Sequence, residues 1–173
     1  MIDRIRDVTS RGWFALYTKS RSEFKAAEQI GALNIEYYLP VITKYRQWSD
    51  RRKKITEPLI RGYIFVYVNE KERIKSLEQN AVVRCLTERG RPAKIPDWQI
   101  ENLKNMLKNE ADFYITEGLV PGTKVRIVEG PFEGVIGVVS NIEEGRTIAV
   151  SIDLLNRSVI AHLPRESLFE IVK

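Results

Sequence analysis

With 173 residues, 28 Lys/Arg against 23 Asp/Glu and a hydrophobic fraction of 43%, the chain has room for one or two domains with real cores. No apolar run approaches a membrane span, and the charged start MIDRIRDVTS is unlike a signal peptide. Cys85 is the only cysteine, which excludes internal disulfides and cysteine-based zinc sites and points to a reducing, cytoplasmic setting. Residues 1–110 carry 22 Lys/Arg against 14 Asp/Glu, and residues 111–173 carry 6 against 9. Only the N-terminal part therefore favours nucleic acid or another acidic partner.

Residues 1–11 lack a clear period and are expected to form a flexible tail. Trp13 to Thr18 (WFALYT) reads as a buried strand. Ser20 and Glu23 have the spacing of a capping box, and Phe24, Ala27 and Ile30 predict one helix face ending at Gly31. Ile35 to Ile42 predicts a second strand, with Pro40 at an edge or near its end. Residues 43–57 read as two exposed, charged strands turning at Ser49-Asp50. Leu59 to Val68 is the strongest strand signal, bent at Gly62. Asn69 and Glu72 predict a capped helix with Ile74 and Leu77 facing inward. Val82 to Thr87 predicts a fourth strand. Pro96 opens a helix with Ile100, Leu103 and Leu107 as its buried stripe. This order fits an α+β, ferredoxin-like antiparallel sheet with helices on one face.

Residues 109–117 read as a polar linker. From Leu119 the pattern changes to about five short β segments, with turns at Glu144-Gly145 and Asn156-Arg157, which predicts a small barrel.

The stretch GLVPGTKVRIVEGPFEGVIGVV, beginning at Gly118, resembles a KOW motif, the core of a small SH3-like β-barrel. WFALYTKSRSEFKAAEQI, YYLPVITKY and EPLIRGYIFVYV resemble the NGN domain of NusG-type elongation factors: Trp13-Phe14, Lys19 and Pro58 to Val66 stand where that family has its typical residues. The resemblance covers residues 12–172. It implies an NGN domain over 12–108, a linker over 109–117 and a KOW domain over 118–173. Ile60-Arg61 departs from the usual Phe-Pro. The spacing through the charged hairpin is closer to specialised paralogs of the RfaH and UpxY types, which act at particular operons such as those for polysaccharides.

What the family implies is binding rather than catalysis: docking on the clamp helices of the largest RNA polymerase subunit, a reach toward the second-largest subunit, and suppression of pausing. Tyr17, Ile60, Tyr63 and Phe65, joined by Ile100, match its polymerase-binding patch; the alternative is that alternate strand residues, Phe65 above all, are core. Lys19 and Arg21 match a region that touches non-template DNA. Arg51, Arg52, Lys53 and Lys54 lie on a hairpin that reaches upstream DNA, or else are an ordinary solvated tip; Trp48 and Tyr45 beside them favour nucleic acid. Arg73 to Ser76 matches a segment facing the second large subunit, and Arg84 and Arg89 read as solvated supplements. In the KOW segment Gly130, Gly134 and Gly137 are structural, through positive φ or close approach. Phe132 at the loop tip is expected to be exposed, as a contact for ribosomal protein S10 or Rho. Ile142, Leu154 and Leu155 either extend that surface or fill the barrel. Three glycines and Pro131 within eight positions disfavour any helical form of this segment.

His162 is the sole histidine and has no partners for a metal or for acid–base work. No Walker A loop or Rossmann fingerprint occurs, so no cofactor and no enzymatic activity are expected. A monomer without membrane contact is the expected state. Two other readings stay open: a general NusG coupling polymerase to Rho or the ribosome, and a ribosome- or RNA-associated KOW protein with no polymerase role.

Overall fold

The computed structural model describes residues 9–173. Most of the expected tail, residues 1–8, lies outside the described residues. Its last two positions are tied down: Ser10 accepts a hydrogen bond from Lys94 and Arg11 forms an ion pair with Glu72 at 2.7 Å. The chain divides into two compact units, one ending at Pro96 and the other running Asp97–Lys173.

The first unit has strands β1 (Gly12–Thr18), β2 (Glu36–Tyr38), β3 (Val41–Gln47), β4 (Arg52–Pro58), β5 (Tyr63–Val68) and β6 (Val82–Cys85), with helices α1 (Glu23–Gly31) and α2 (Glu70–Leu77). Short strands β7 (Thr87–Glu88), β8 (Arg91–Pro92) and β9 (Lys94–Ile95) follow. The main sheet is antiparallel in the order β2-β5-β1-β6, with β9 also on β1. Leaving aside the β3–β4 hairpin, this is the split β-α-β-β-α-β arrangement expected of a ferredoxin-like domain. The even-numbered face holds Phe14, Leu16, Ile64, Val66 and Val68, packed with Ala26, Ala27 and Ile30 of α1 and with Leu77 of α2. Alternation along the strands puts these residues on one face, and their burial is the unit's main source of stability.

Local details differ from the sequence reading. The strong strand signal splits at Gly62, whose φ of +84° makes a turn, so β5 begins at Tyr63. The second predicted strand is broken at Leu39-Pro40 into β2 and β3, because proline cannot donate to a ladder. No capping box forms at Ser20: Ser22 precedes α1, and the Glu23 carboxylate instead accepts the Gly62 N–H at 2.8 Å. The buried stripe is Glu23, Ala26, Ala27 and Ile30, and Phe24 is 49% exposed. In α2 the Asn69–Glu72 capping box is complete. Of its expected inward face, Leu77 packs against the core but Ile74 is exposed, and Arg73 and Ser76 are buried instead.

The second unit has helix α3 (Asp97–Leu107) and strands β10 (Phe113–Glu117), β11 (Lys124–Glu129), β12 (Ile136–Ile142), β13 (Gly145–Ile152), β14 (Arg157–Leu163) and β15 (Leu168–Ile171). All strand pairings are antiparallel, in the order β10-β14-β13-β12-β11-β15. From Leu119 onward the five expected strands are present, and β10 adds a sixth ahead of them. The predicted linker is largely β10, which pairs with β14 through five residues from Phe113 to Glu117.

Helix α3 was expected in the first domain but groups with the second unit. Two amide side chains explain this. Asn102 accepts the Ile136 N–H at 2.7 Å and donates back to the Ile136 carbonyl. Gln99 donates to the Asp153 carboxylate at 3.0 Å and accepts the Asp153 N–H. Both amides are buried, and each satisfies a backbone N–H, that of Ile136 in β12 and that of Asp153 just after β13.

Candidate polymerase and nucleic-acid interface

The odd-numbered face of the first sheet is lined by aromatics. Trp13 packs against Tyr67, Tyr38 stacks on Phe65, and Tyr17 meets Tyr63 edge-on at 5.5 Å between ring centroids. Cross-strand pairing fixes the rows: Tyr63 lies opposite Tyr17, which lies opposite Arg84, while Phe65 lies opposite Ala15. The face is unevenly covered. Trp13, Ala15 and Phe65 are buried, Phe65 completely, whereas Tyr17 is 38% exposed and Tyr63 half-buried.

The predicted patch therefore separates. Tyr17 and Tyr63 reach the surface; Ile60, Phe65 and Ile100 do not, each being no more than 2% exposed. Phe65 sits on a central strand covered on both faces, and Ile100 lies on the buried stripe of α3 with Leu103 and Met106, the last in place of the expected Leu107. Arg84, read from sequence as a solvated arginine, completes the exposed row with its guanidinium 5.7 Å from the Tyr17 ring centre. Only the register reveals this.

The turn beneath Tyr17 is closely specified. Gly62 donates to Glu23, and its carbonyl accepts the Thr18 N–H at 2.8 Å. A Cβ there would stand 3.1 Å from Tyr17 Cε2, in a backbone region that already favours glycine. Lys19 and Arg21 lie on the next turn. The Lys19 ammonium donates to Asn80 at 2.8 Å, and Arg21 is exposed with φ +54°. In the predicted Arg73–Ser76 segment Arg73 and Ser76 are buried and Ile74 and Lys75 are exposed. Arg73 hydrogen-bonds Glu70 at 2.9 Å, which holds the Glu70 carboxyl below the usual range.

Four residues before Tyr63, the chain leaves the β3–β4 hairpin. It carries six Lys/Arg against two Asp/Glu over residues 41–58, and its seven-residue strands span roughly 23 Å. Arg51, Arg52, Lys53 and Lys54 are all exposed, as are Tyr45 and Trp48. At its base Glu57 pairs with Lys44 at 3.1 Å, and Lys44 chiefly lowers its pKa.

In the second unit Phe132 is buried, contrary to the exposed tip expected; at 2% exposure, its ring packs edge-on to Phe113. The missing signal was β10, which brings Phe113 over the loop. Leu155 is likewise core, whereas Ile142 is exposed. Gly130 and Gly134 have φ of +116° and +83°. Gly137 does not, but a Cβ there would lie 2.5 Å from the Ala149 carbonyl oxygen. Among the described residues no group of three or more His, Cys, Asp or Glu could hold a metal, and no helix is long and apolar enough to cross a membrane.

The family described as transcription termination factor nusG matches residues 11–104. The transcription termination/antitermination protein NusG of Rickettsia conorii is 24% identical over 159 residues, covering 84% of this chain and 83% of its own. Among solved structures, Thermotoga maritima NusG aligns over 90% of this chain and 95% of its own, with 20% identity and a TM-score of 0.49. An MjSpt4:Spt5 complex aligns over 93% and 98%, with 14% identity and a TM-score of 0.33. The family match spans more than half of the chain, and the chain belongs to the NusG family of non-catalytic transcription elongation and antitermination factors.

Proposed function

We propose that this chain docks on RNA polymerase through the Tyr63–Tyr17–Arg84 row, suppresses pausing, and contacts nucleic acid of the transcribing complex with Lys19, Arg21 and the hairpin. One observation carries the docking: in one cross-strand row Tyr17 and Arg84 are exposed and Tyr63 is half-buried, while Trp13, Ala15 and Phe65 of the same sheet face are buried. Tyrosine supplies large, rigid contact area at little entropic cost, and arginine adds a cation above the ring. Ile60 and Phe65 are buried and act through the fold rather than as contacts. The partner is the clamp-helix region of the largest subunit, with the second-largest subunit across the cleft, on a cytoplasmic polymerase.

Preference for the elongating state over the paused one is all the mechanism needs. A differential affinity of about 1.4 kcal/mol shifts that equilibrium tenfold. The Ile60-Arg61 pair and the hairpin's length and charge support a specialised, operon-directed antiterminator over a general factor.

Biolayer interferometry against purified core polymerase tests the docking. Tyr17→Ala and Tyr63→Ala are each expected to weaken binding by about 2 kcal/mol, with little change in its salt dependence. Wild-type affinity in both folded variants contradicts it.

A further inference from the structure

The two faces of the β3–β4 hairpin differ chemically. We propose that only one of them, that of Tyr45, Arg52 and Lys54, binds single-stranded nucleic acid, with a base stacked on Tyr45 and phosphates on the two cations. The inference rests on the reading that the hairpin contacts nucleic acid, and it specifies the ligand and the side.

The register separates the faces. Tyr45 lies opposite Lys54, Gln47 opposite Arg52, and Thr43 opposite Thr56; directly opposed residues share a face. The other face carries Lys44 opposite Ile55, Arg46 opposite Lys53, and Ile42 opposite Glu57.

On that second face the cations are already engaged. Glu57 lies 3.1 Å from Lys44 and 3.9 Å from Arg46, and Ile42 and Ile55 are half-buried. The Lys53 ammonium sits 5.1 Å from the Trp48 ring centre, so one side of that indole is occupied. The first face carries no carboxylate. Among the described residues Arg52 and Lys54 form no ion pair, and Tyr45 is 68% exposed, more than any other aromatic.

This pattern fits a single strand. A duplex offers phosphates but keeps its bases stacked inside, so an aromatic platform between cations gains only from free bases. Arg52 and Lys54, two residues apart along β4, stand about 7 Å from each other. One phosphate can therefore meet each cation while the intervening base reaches Tyr45.

Fluorescence anisotropy of the full chain with labelled oligo-dT, oligo-U and a DNA duplex of equal length tests this. The single strands are expected to bind more tightly than the duplex, and the tighter of the two identifies DNA or RNA as the source. Tyr45→Ala should lower affinity on the order of tenfold while Tyr45→Phe retains it. The Arg52→Gln/Lys54→Gln pair should flatten the slope of log affinity against log salt by about 1.4. Trp48→Ala with Lys53→Gln should lower affinity far less than either change on the Tyr45 face. Losses confined to the Trp48 and Lys53 changes would overturn the choice of face, and duplex preference with a silent Tyr45→Ala would overturn the single-strand ligand. If replacing Arg51, Arg52, Lys53 and Lys54 together changes nothing, the hairpin reading itself fails, which the other two outcomes leave standing.

Discussion

The two units differ in charge and in where their candidate contact residues lie. The first carries 20 Lys/Arg against 11 Asp/Glu, the second 8 against 12. In the first unit the core takes Phe14, Leu16 and the aliphatics of β5, leaving Tyr17, Tyr63, Arg84 and the hairpin on the surface. In the second, the expected contact Phe132 instead fills the interior, while Gly137 admits a neighbouring carbonyl and Gln99 and Asn102 clamp a helix to the sheet. Surface chemistry in such a chain is read from what the core does not require.

Substitutions can break this contrast. Within the first unit, Phe65→Ala should cost the most, about 3–5 kcal/mol of stability, while its strand neighbour Tyr63→Ala leaves the melting temperature nearly unchanged. Thermal unfolding followed by circular dichroism separates them; equal losses would place Tyr63 in the core.

In the second unit Asn102→Ala leaves the Ile136 N–H and carbonyl without partners and should cost about 1–3 kcal/mol, seen as earlier melting in denaturant titrations. A smaller effect, about 1 kcal/mol, is expected when Asn69→Ala removes the cap of α2.

Acid should act on the first unit. Lys44, Arg73 and Arg11, by hydrogen bonding, lower the pKa of Glu57, Glu70 and Glu72 respectively. A carboxyl whose folded pKa is depressed contributes stability above its unfolded pKa, near 4.3, and loses it as pH falls through the folded value. These pairs are largely solvent-screened, so the effect is small. Melting temperature should decline on acidification below about pH 4.3, less steeply in Glu72→Gln.

Much of the first unit was legible in the sequence. The β1, β5 and β6 patterns, the Asn69–Glu72 cap and the Ser49-Asp50 turn follow from alternation and local hydrogen bonding. What escaped depended on distant partners. Glu23 accepts the Gly62 N–H instead of completing a capping box, and Phe24 is exposed. Phe113 to Glu117 reads as polar linker until β14 is beside it. The site was half legible: Tyr17 and Tyr63 stood out by residue type, whereas the burial of Ile60, Phe65 and Ile100 and the place of Arg84 required the register.

The most direct test is in vitro transcription with the cognate polymerase on a pausing template, comparing wild type, Tyr63→Ala and the Arg52→Gln/Lys54→Gln pair. The account predicts shorter pauses with wild type and loss of that effect in folded Tyr63→Ala. Pause lifetimes unchanged by the wild-type chain, on general and operon-leader templates alike, would contradict it.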